Sequence, residues 1–252
     1  VRRIRAYQDQ PLQAGMQVQL DARVSHHWLQ VLRLRTGEPV WLFNGDGQDY
    51  PGQLQVTGKR SGSVLLQTPQ VVCGNRWPRL LLCQGMCRGE RMDLVLQKAT
   101  ELGVDEIQPL QTQHSQLHLH GTRLRKRMQH WQQVIISACE QSGRACLPSL
   151  HPPLPVSALQ SAGQHGLCLQ LYPGAETSLA ACLRAVSAQT TLRIAVGPEG
   201  GFSDEENDQF DRIGFVRVSL GNNVLRTETA AMAAVALVKL GRSSETAESI
   251  SG

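Results

Sequence analysis

The chain has no run of about 18 uninterrupted apolar residues, the length that a membrane-crossing helix needs. Its first residues, Val1-Arg2-Arg3-Ile4-Arg5, lack the apolar core of a secretory leader. Neither membrane insertion nor export is expected. Paired cysteines are missing too: Cys73, Cys83, Cys87, Cys139, Cys146, Cys168 and Cys182 are odd in number, irregularly spaced and mostly set among apolar neighbours. They read as reduced thiols in a cytosolic protein, not as a disulfide framework. No dinucleotide glycine fingerprint, Walker loop or serine-hydrolase elbow occurs, which removes three common enzyme classes. A strong charge excess is also lacking. Lys and Arg number 25 against 21 Asp and Glu, a net +4 that permits a nucleic-acid partner without demanding one.

What is present is enough apolar material, 41% of 252 residues, for one large or two modest domains. The positive charge is unevenly placed. Residues 1–35 hold six arginines, Arg2, Arg3, Arg5, Arg23, Arg33 and Arg35, against the two acids Asp9 and Asp21. A second cluster is Arg123, Arg125, Lys126 and Arg127. Both are candidate phosphate contacts, and the second is equally well a solvated face.

Residues 1–72 read as short β-prone runs at 18–20, 39–43, 52–56 and 63–67, with turn signals at Asn44-Gly45-Asp46-Gly47 and Ser61-Gly62. That rhythm predicts a small β-barrel. One helix interrupts it over 25–34, with Ser25 as cap and Trp28, Leu29 and Leu32 facing the barrel. A boundary falls near 72–78, at Gly74-Asn75 and Pro78. Beyond it the rhythm becomes alternating strand and helix: strands at 80–84, 107–110, 167–172, 192–196 and 216–220, helices over 89–102 and 123–142. In the first of these helices Met92, Val95, Leu96, Ala99 and Leu102 form the core stripe, Arg91, Leu94, Lys98 and Glu101 share another face, and Gly103 ends it. This half reads as an α/β sheet covered by helices. The polar, serine-rich residues 242–252 read as a disordered tail.

Two strand-to-helix connections carry the chemical signal. The strand at 192–196 runs into Gly197-Pro198-Glu199-Gly200-Gly201-Phe202-Ser203, where glycines let main-chain groups approach a ligand, and Ser203 with Glu206 forms a capping box. The strand at 216–220 runs into Gly221-Asn222-Asn223-Val224-Leu225-Arg226-Thr227-Glu228, where a cation and an anion flank a helix start. Those two charges make either a functional pair or an ion pair that fixes the loop. The helix that follows, over 228–240, is apolar on nearly every side and predicts burial in the core or in a subunit interface.

Taken together, Gly197-Pro198-Glu199-Gly200-Gly201-Phe202-Ser203, Ser219-Leu220-Gly221 and Val224-Leu225-Arg226-Thr227-Glu228-Thr229-Ala230 resemble the cofactor-binding signature of the SPOUT class of methyltransferases. Within that class the chain is similar to the RsmE family, which methylates N3 of a uridine in 16S ribosomal RNA. Further matches are Gln97-Lys98-Ala99-Thr100-Glu101-Leu102-Gly103-Val104, Ala138-Cys139-Glu140-Gln141-Ser142-Gly143-Arg144, Arg2-Arg3-Ile4-Arg5 and His27-Trp28-Leu29-Gln30-Val31-Leu32-Arg33-Leu34. The chain departs at Gly221-Asn222-Asn223, where relatives often carry a basic residue or proline.

The resemblance implies an N-terminal PUA-like β-barrel over 1–72 that binds RNA, and a SPOUT α/β domain over 78–241 tied in a deep trefoil knot. It implies S-adenosyl-L-methionine as cofactor, 16S rRNA or the assembled small subunit as substrate, and a homodimer. Carried over by position, the cofactor pocket is Leu171, Tyr172, Pro173, Val196, Gly197, Pro198, Glu199, Gly200, Gly201, Ser219, Leu220, Gly221, Val224, Leu225 and Arg226. Uridine N3 carries a proton, so transfer to it needs a base and a cation to offset developing negative charge. Arg226 fits the second role, while Glu199, Glu228 and Glu101 stay open for the first. Candidate RNA contacts are Arg2, Arg5, Arg33, Arg35, Arg88, Lys98 and Arg144, the last of which could instead pair with Glu140.

His114, His118 and His120 lie close in sequence, but no cysteine pair at finger spacing accompanies them, and no metal is expected. Two other readings fit: a ribosome-associated RNA-binding adaptor without catalysis, and the same chemistry on another RNA or at a ribose 2′-oxygen.

Overall fold

A computed structural model describes residues 3–73, 78–115, 119–161, 166–184, 186–187 and 190–241. The chain forms two compact units, residues 1–75 with 136–147, and residues 76–135 with 148–252.

In the first unit, strands β1 (Arg5–Tyr7), β2 (Gln17–Gln19), β3 (Pro39–Phe43), β4 (Gln48–Gly58) and β5 (Ser61–Leu66) make a sheet in the order β1-β3-β4-β5-β2, and β6 (Gln70–Val71) pairs with β4. Each expected strand of this region is there, because the period-two pattern sends Val18, Val40, Leu42, Leu54 and Val64 into one core. The Asn44–Gly47 turn closes on itself: the Asn44 Oδ1 accepts from the Asp46 amide at 3.2 Å and the Asp46 Oδ1 from the Gln48 amide at 2.9 Å.

The helix of this unit differs from expectation in two ways. It begins a turn earlier, as α1 (Ala22–Ser25), because Asp21 and not Ser25 is the cap: the Asp21 carboxylate accepts from the Val24 amide at 2.7 Å. It then widens into a π-helical segment, His26–Val31. Trp28 is buried and Leu29 packs against the core as expected, but the wide turn leaves Leu32 exposed.

The second unit has an all-parallel sheet. Its strands are β7 (Arg79–Gly85), β8 (Glu106–Gln111), β9 (Ser149–Leu150), β10 (Leu154–Pro155), β11 (Gly166–Leu171), β12 (Thr191–Val196) and β13 (Phe215–Val218). The order is β10-β8-β7-β12-β11-β13, with β9 also beside β8. Around it lie α2 (Glu90–Glu101), α3 (Gly121–Ser142), α4 (Leu179–Arg184), α5 (Asp204–Arg212) and α6 (Thr227–Leu240). The last residues of α3, from Ile136 onward, belong to the first unit.

Parallel strands buried on both faces need continuous apolar runs, and Leu80, Leu82, Ile107, Leu169, Leu192 and Ile194 supply them. Met92, Val95, Leu96 and Ala99 of α2 are buried against that core, while Leu102 is half-buried at its edge. The α5 capping box forms as expected, with the Ser203 amide donating to Glu206 Oε2 at 2.9 Å and the Glu206 amide to Ser203 Oγ at 3.3 Å. One face of α6, with Ala231, Ala234, Val235 and Val238, is buried, but Leu237 and Leu240 are 40% and 58% exposed.

From β11 the chain moves to β12 on one side, then to β13 on the other side of β11. Loops leaving the C-terminal ends of these strands therefore diverge around a crevice, which is where open parallel sheets place ligands. No helix among the described residues is long and apolar enough to cross a membrane. Residues 242–252, expected as a tail, lie outside the described residues.

Candidate functional site

Three loops leave the C-terminal edge of the sheet, after β11, β12 and β13. Each is fixed by main-chain bonds. The first is tied to the third: the Tyr172 amide donates to Val218 O, the Ser219 amide to Thr177 O, and the Leu179 amide to Ser219 O, each at 2.9 Å. In the second, the Gly201 amide donates to Pro198 O at 2.9 Å. This loop also presses on β7, and only glycine fits there. A Cβ on Gly85 would lie 2.5 Å from Pro198 Cδ and 2.6 Å from Pro198 N.

A polar relay locks the same loop to the start of α6. Gln84, buried at the end of an otherwise apolar strand, donates from Nε2 to Thr227 Oγ1 at 3.1 Å, and Thr227 Oγ1 donates in turn to Gly197 O at 2.5 Å. At Gly221 the third loop turns with φ of +102°, a conformation that favours glycine.

Between the loops is a cleft of about 560 Å3. Every residue carried over as cofactor-binding lines it except Gly200 and Ser219. Gly200 instead offers its carbonyl to His114 Nδ1 at 2.9 Å, and Ser219 is occupied by the main-chain bonds that tie the first and third loops. Main chain and the apolar side chains of Leu171, Val218, Leu220, Val224 and Leu225 make up much of the wall. At the rim, the Arg217 guanidinium sits 4.8 Å from the centre of the Tyr172 ring and pairs with Asp211 at 2.7 Å.

The four residues considered for chemistry separate cleanly. Arg226 precedes α6 in extended conformation, is exposed and lines the cleft; its carbonyl accepts from the Ala230 amide at 2.8 Å, while its guanidinium has no hydrogen bond or ion pair among the described residues. It makes no ion pair with Glu228. Glu228, in the first turn of α6, also lines the cleft, and its Oε2 is buried without a hydrogen-bond partner. Glu199 lines the cleft but is engaged: its Oε1 accepts from Arg91 Nη1 at 2.8 Å and from the Arg88 amide at 3.4 Å. Partial burial pushes the Glu199 carboxyl up, yet its own amide, the Arg91 guanidinium and the Arg88 amide outweigh this and hold it below the ordinary carboxylate value. Glu101 is elsewhere. It lies at the end of α2, outside the cleft, with both oxygens 2.9 Å from Lys98 Nζ. Its expected place at the site is corrected: Glu101 shares a helix face with Arg91, but it stands at the C-terminal end of α2, and only Arg91, at the N-terminal end, lines the cleft.

Two expected phosphate contacts are turned inward. Arg5 is buried; it grips Asp49 in a bidentate pair at 3.1 and 2.5 Å, donates to Cys139 O at 2.7 Å and stacks 4.5 Å from the Phe43 ring centre. Arg144 is also buried and donates to Cys146 O at 2.7 Å, while Glu140 pairs with Arg23 at 3.0 Å and accepts from the Tyr7 amide. Arg33, Arg35 and Arg88 are exposed, and Lys98 is half-buried in its pair with Glu101. Arg2 and His118 lie outside the described residues.

The cleft also uses residues that were not carried over as site residues: Arg91, Phe202, Asn207, Val218, Asn223, Thr227 and Ala230. A signal existed for some. Phe202 and Thr227 adjoin the glycine loops, and a glutamine inside an apolar strand, as at Gln84 and Gln170, marks a buried polar partner. Gln170 Nε2 donates to Asn207 Oδ1 at 2.6 Å.

The model of an RNA methyltransferase domain family matches residues 75–239, and that of an RNA methyltransferase PUA domain matches residues 20–67. The chain is similar to the ribosomal RNA small subunit methyltransferase E of Rickettsia conorii, 30% identical over 85% of this chain and 86% of that one. It is 29% identical to the protein of the same name from Mycobacterium bovis, over 92% of this chain and 89% of that one. Among solved structures it matches a ribosomal RNA small subunit methyltransferase E from Neisseria gonorrhoeae bound to S-adenosyl methionine, with a TM-score of 0.85, 33% identity, and coverage of 94% of this chain and 97% of that one.

Proposed function

Because the chain belongs to the ribosomal RNA small subunit methyltransferase E family of RNA methyltransferases, we propose that it transfers a methyl group from S-adenosyl-L-methionine to N3 of a uridine in 16S ribosomal RNA. The observation that carries this reading is the cleft bounded by three main-chain loops at the C-terminal edge of the parallel sheet. Its volume suits a small-molecule site, and its lining combines apolar walls with main-chain groups. The unpartnered Glu228 oxygen marks a polar position there that a ligand would satisfy.

The cofactor would be held by residues 171–173, 196–199, 201, 220, 221 and 223–226, and would supply an electrophilic methyl group on sulfur. The protein's own contribution is positioning and charge. Arg226, without a partner in the cleft, offsets the negative charge that grows on the uracil as N3 loses its proton. Glu228 is the carboxylate best placed to take that proton, because Glu199 is committed to Arg91 and Glu101 is outside the cleft. Glu199 instead braces its loop against the start of α2.

We further propose a SPOUT domain over 78–241 whose loops are tied in a deep trefoil knot, and a PUA-like barrel over 1–72 that binds RNA. The order β7-β12-β11-β13 and the five-stranded path β1-β3-β4-β5-β2 support these readings. The exposed Leu237 and Leu240 on an otherwise apolar α6 support a homodimer. The ribosomal RNA substrate implies a cytoplasmic location. Of the RNA contacts, Arg33, Arg35, Arg88 and Lys98 keep that assignment with Arg2, and Arg5 and Arg144 lose it. The test is methyl transfer from labelled S-adenosylmethionine to small subunits lacking the modification, followed by nucleoside analysis. N3-methyluridine is expected; label on a ribose or on another base would overturn the assignment.

A further inference from the structure

Two amides of the parallel-sheet unit stand where local chemistry disfavours them. Gln170 is fully buried in β11, a strand otherwise made of Leu167, Cys168, Leu169 and Leu171 after its first glycine. Asn207 is buried one turn into α5, where asparagine weakens a helix. Residues set against local preference gather at functional positions. These two are partners, with Gln170 Nε2 donating to Asn207 Oδ1 at 2.6 Å.

The packing around them needs neither. Side chains alternate along a strand, so Gln170 shares the face of Cys168, and with its register partner Ala195 it meets the layer that Phe202, Phe210 and Phe215 build beside α5. Asn207 stands three residues before Phe210 on the same helix face, so leucine at both positions would continue that layer. Instead, Gln170 Oε1 is buried without a hydrogen-bond partner, a desolvation penalty that packing does not explain.

The cleft explains it. Asn207 lines the cleft from α5, whereas Arg91, Arg226 and Glu228 reach it from the starts of α2 and α6, which pack on the opposite face of the sheet. A carboxamide that is free to turn offers a ligand either its oxygen or its nitrogen. Asn207 has no such choice: Gln170 occupies Oδ1, while Nδ2 has no protein partner among the described residues and, unlike Gln170 Oε1, is not sealed from the cleft.

We propose that Asn207 is a specificity-determining residue for the cofactor, donating from Nδ2 to a ring nitrogen of its adenine, and that Gln170 is the positioning residue that fixes Asn207 as a donor. This rests on the reading that the cleft takes S-adenosyl-L-methionine. A neutral donor beside the apolar Phe202, Leu171 and Val218 suits a neutral acceptor, which the purine offers at N1, N3 and N7. The amino-acid end of the cofactor is charged and calls for counter-charges, and those reach the cleft from the other face of the sheet.

The test measures the affinity of S-adenosylhomocysteine and of its 1-deaza, 3-deaza and 7-deaza forms for the unaltered chain, Q170L and Q170L/N207L, with the melting temperature of each. Removing both amides together orphans neither, so the double variant should melt no lower than the unaltered chain. Its affinity for S-adenosylhomocysteine should fall about tenfold, the worth of one hydrogen bond. Q170L, which only frees Asn207 to turn, should lose about threefold. One deaza form should bind the unaltered chain about tenfold more weakly than S-adenosylhomocysteine, and should bind the double variant as well as S-adenosylhomocysteine does. Unchanged affinity in the double variant would overturn the proposal. So would a loss in that variant that is the same for every deaza form, which is the mark of packing or of a contact to the amino-acid end. The unaltered chain alone is decisive even if the variants fail to fold, because equal affinity for all the deaza forms and S-adenosylhomocysteine would also overturn the assignment. If the unaltered chain binds no S-adenosylhomocysteine at millimolar concentration, the cofactor reading itself fails, and the role of Asn207 fails with it.

Discussion

The two units place their charges in opposite ways. The parallel-sheet unit builds its cleft from main chain and apolar side chains and leaves one cation, Arg226, and one carboxylate oxygen, on Glu228, without protein partners inside it. The N-terminal unit buries a charge pair, Arg5 with Asp49, to hold its sheet to residue 139, and keeps its unpaired cations on an outer turn. A buried charge with a partner is structural, and a charge held near a cleft or surface without one is available to a ligand.

The largest effect should come from breaking the structural side. Asp49→Ala leaves the Arg5 guanidinium buried without its counter-charge, and urea unfolding should show a loss of about 3–5 kcal/mol. Arg226→Ala is the contrasting change. It removes no side-chain hydrogen bond or ion pair among the described residues, so stability should shift by no more than about 0.5 kcal/mol, while kcat for methyl transfer should fall about 10²–10³-fold.

Between the carboxylates the comparison sharpens. Glu228→Gln should lower kcat about 10²-fold with little change in cofactor affinity, as measured by single-turnover transfer and calorimetry. Glu199→Gln removes only a rim pair worth about 0.2–1 kcal/mol, and should cost less than about tenfold. Equal losses for the two would return the proton-acceptor role to an open choice.

The smallest effect concerns that rim pair. Arg91→Gln should let the Glu199 carboxyl rise toward its ordinary value, visible in a carboxyl-detected NMR titration. Because the folded value is held low, the stability the pair adds is present above the unfolded carboxylate value and fades as pH falls through the folded one. The variant should therefore lose less stability on acidification than the unaltered chain.

The same contrast explains what could be read from residue order. The cleft was legible because glycine and proline at fixed places dictate main-chain geometry locally, and the strands feeding it are plain apolar runs. The cap at Asp21 and the wide turn after it were not, since Asp21 and Ser25 are both good caps by residue type and local sequence does not rank them. Arginines were least legible. Arg5 and Arg33 sit in equally basic, apolar-flanked stretches, and one is buried by a partner 44 residues away while the other is turned outward by backbone geometry. Glu101 belongs to a segment that matches the family well, yet distance along α2 keeps it from the cleft.

The most direct test of the cleft is a titration of the ¹⁵N-labelled chain with S-adenosylhomocysteine, followed through its backbone amide signals. Saturable shifts are expected to concentrate at 171–172, 196–197, 199–201 and 219–228, with the amides of 5–7 and 31–35 unmoved. Shifts absent at millimolar ligand, or confined to residues outside those three loops, would contradict this.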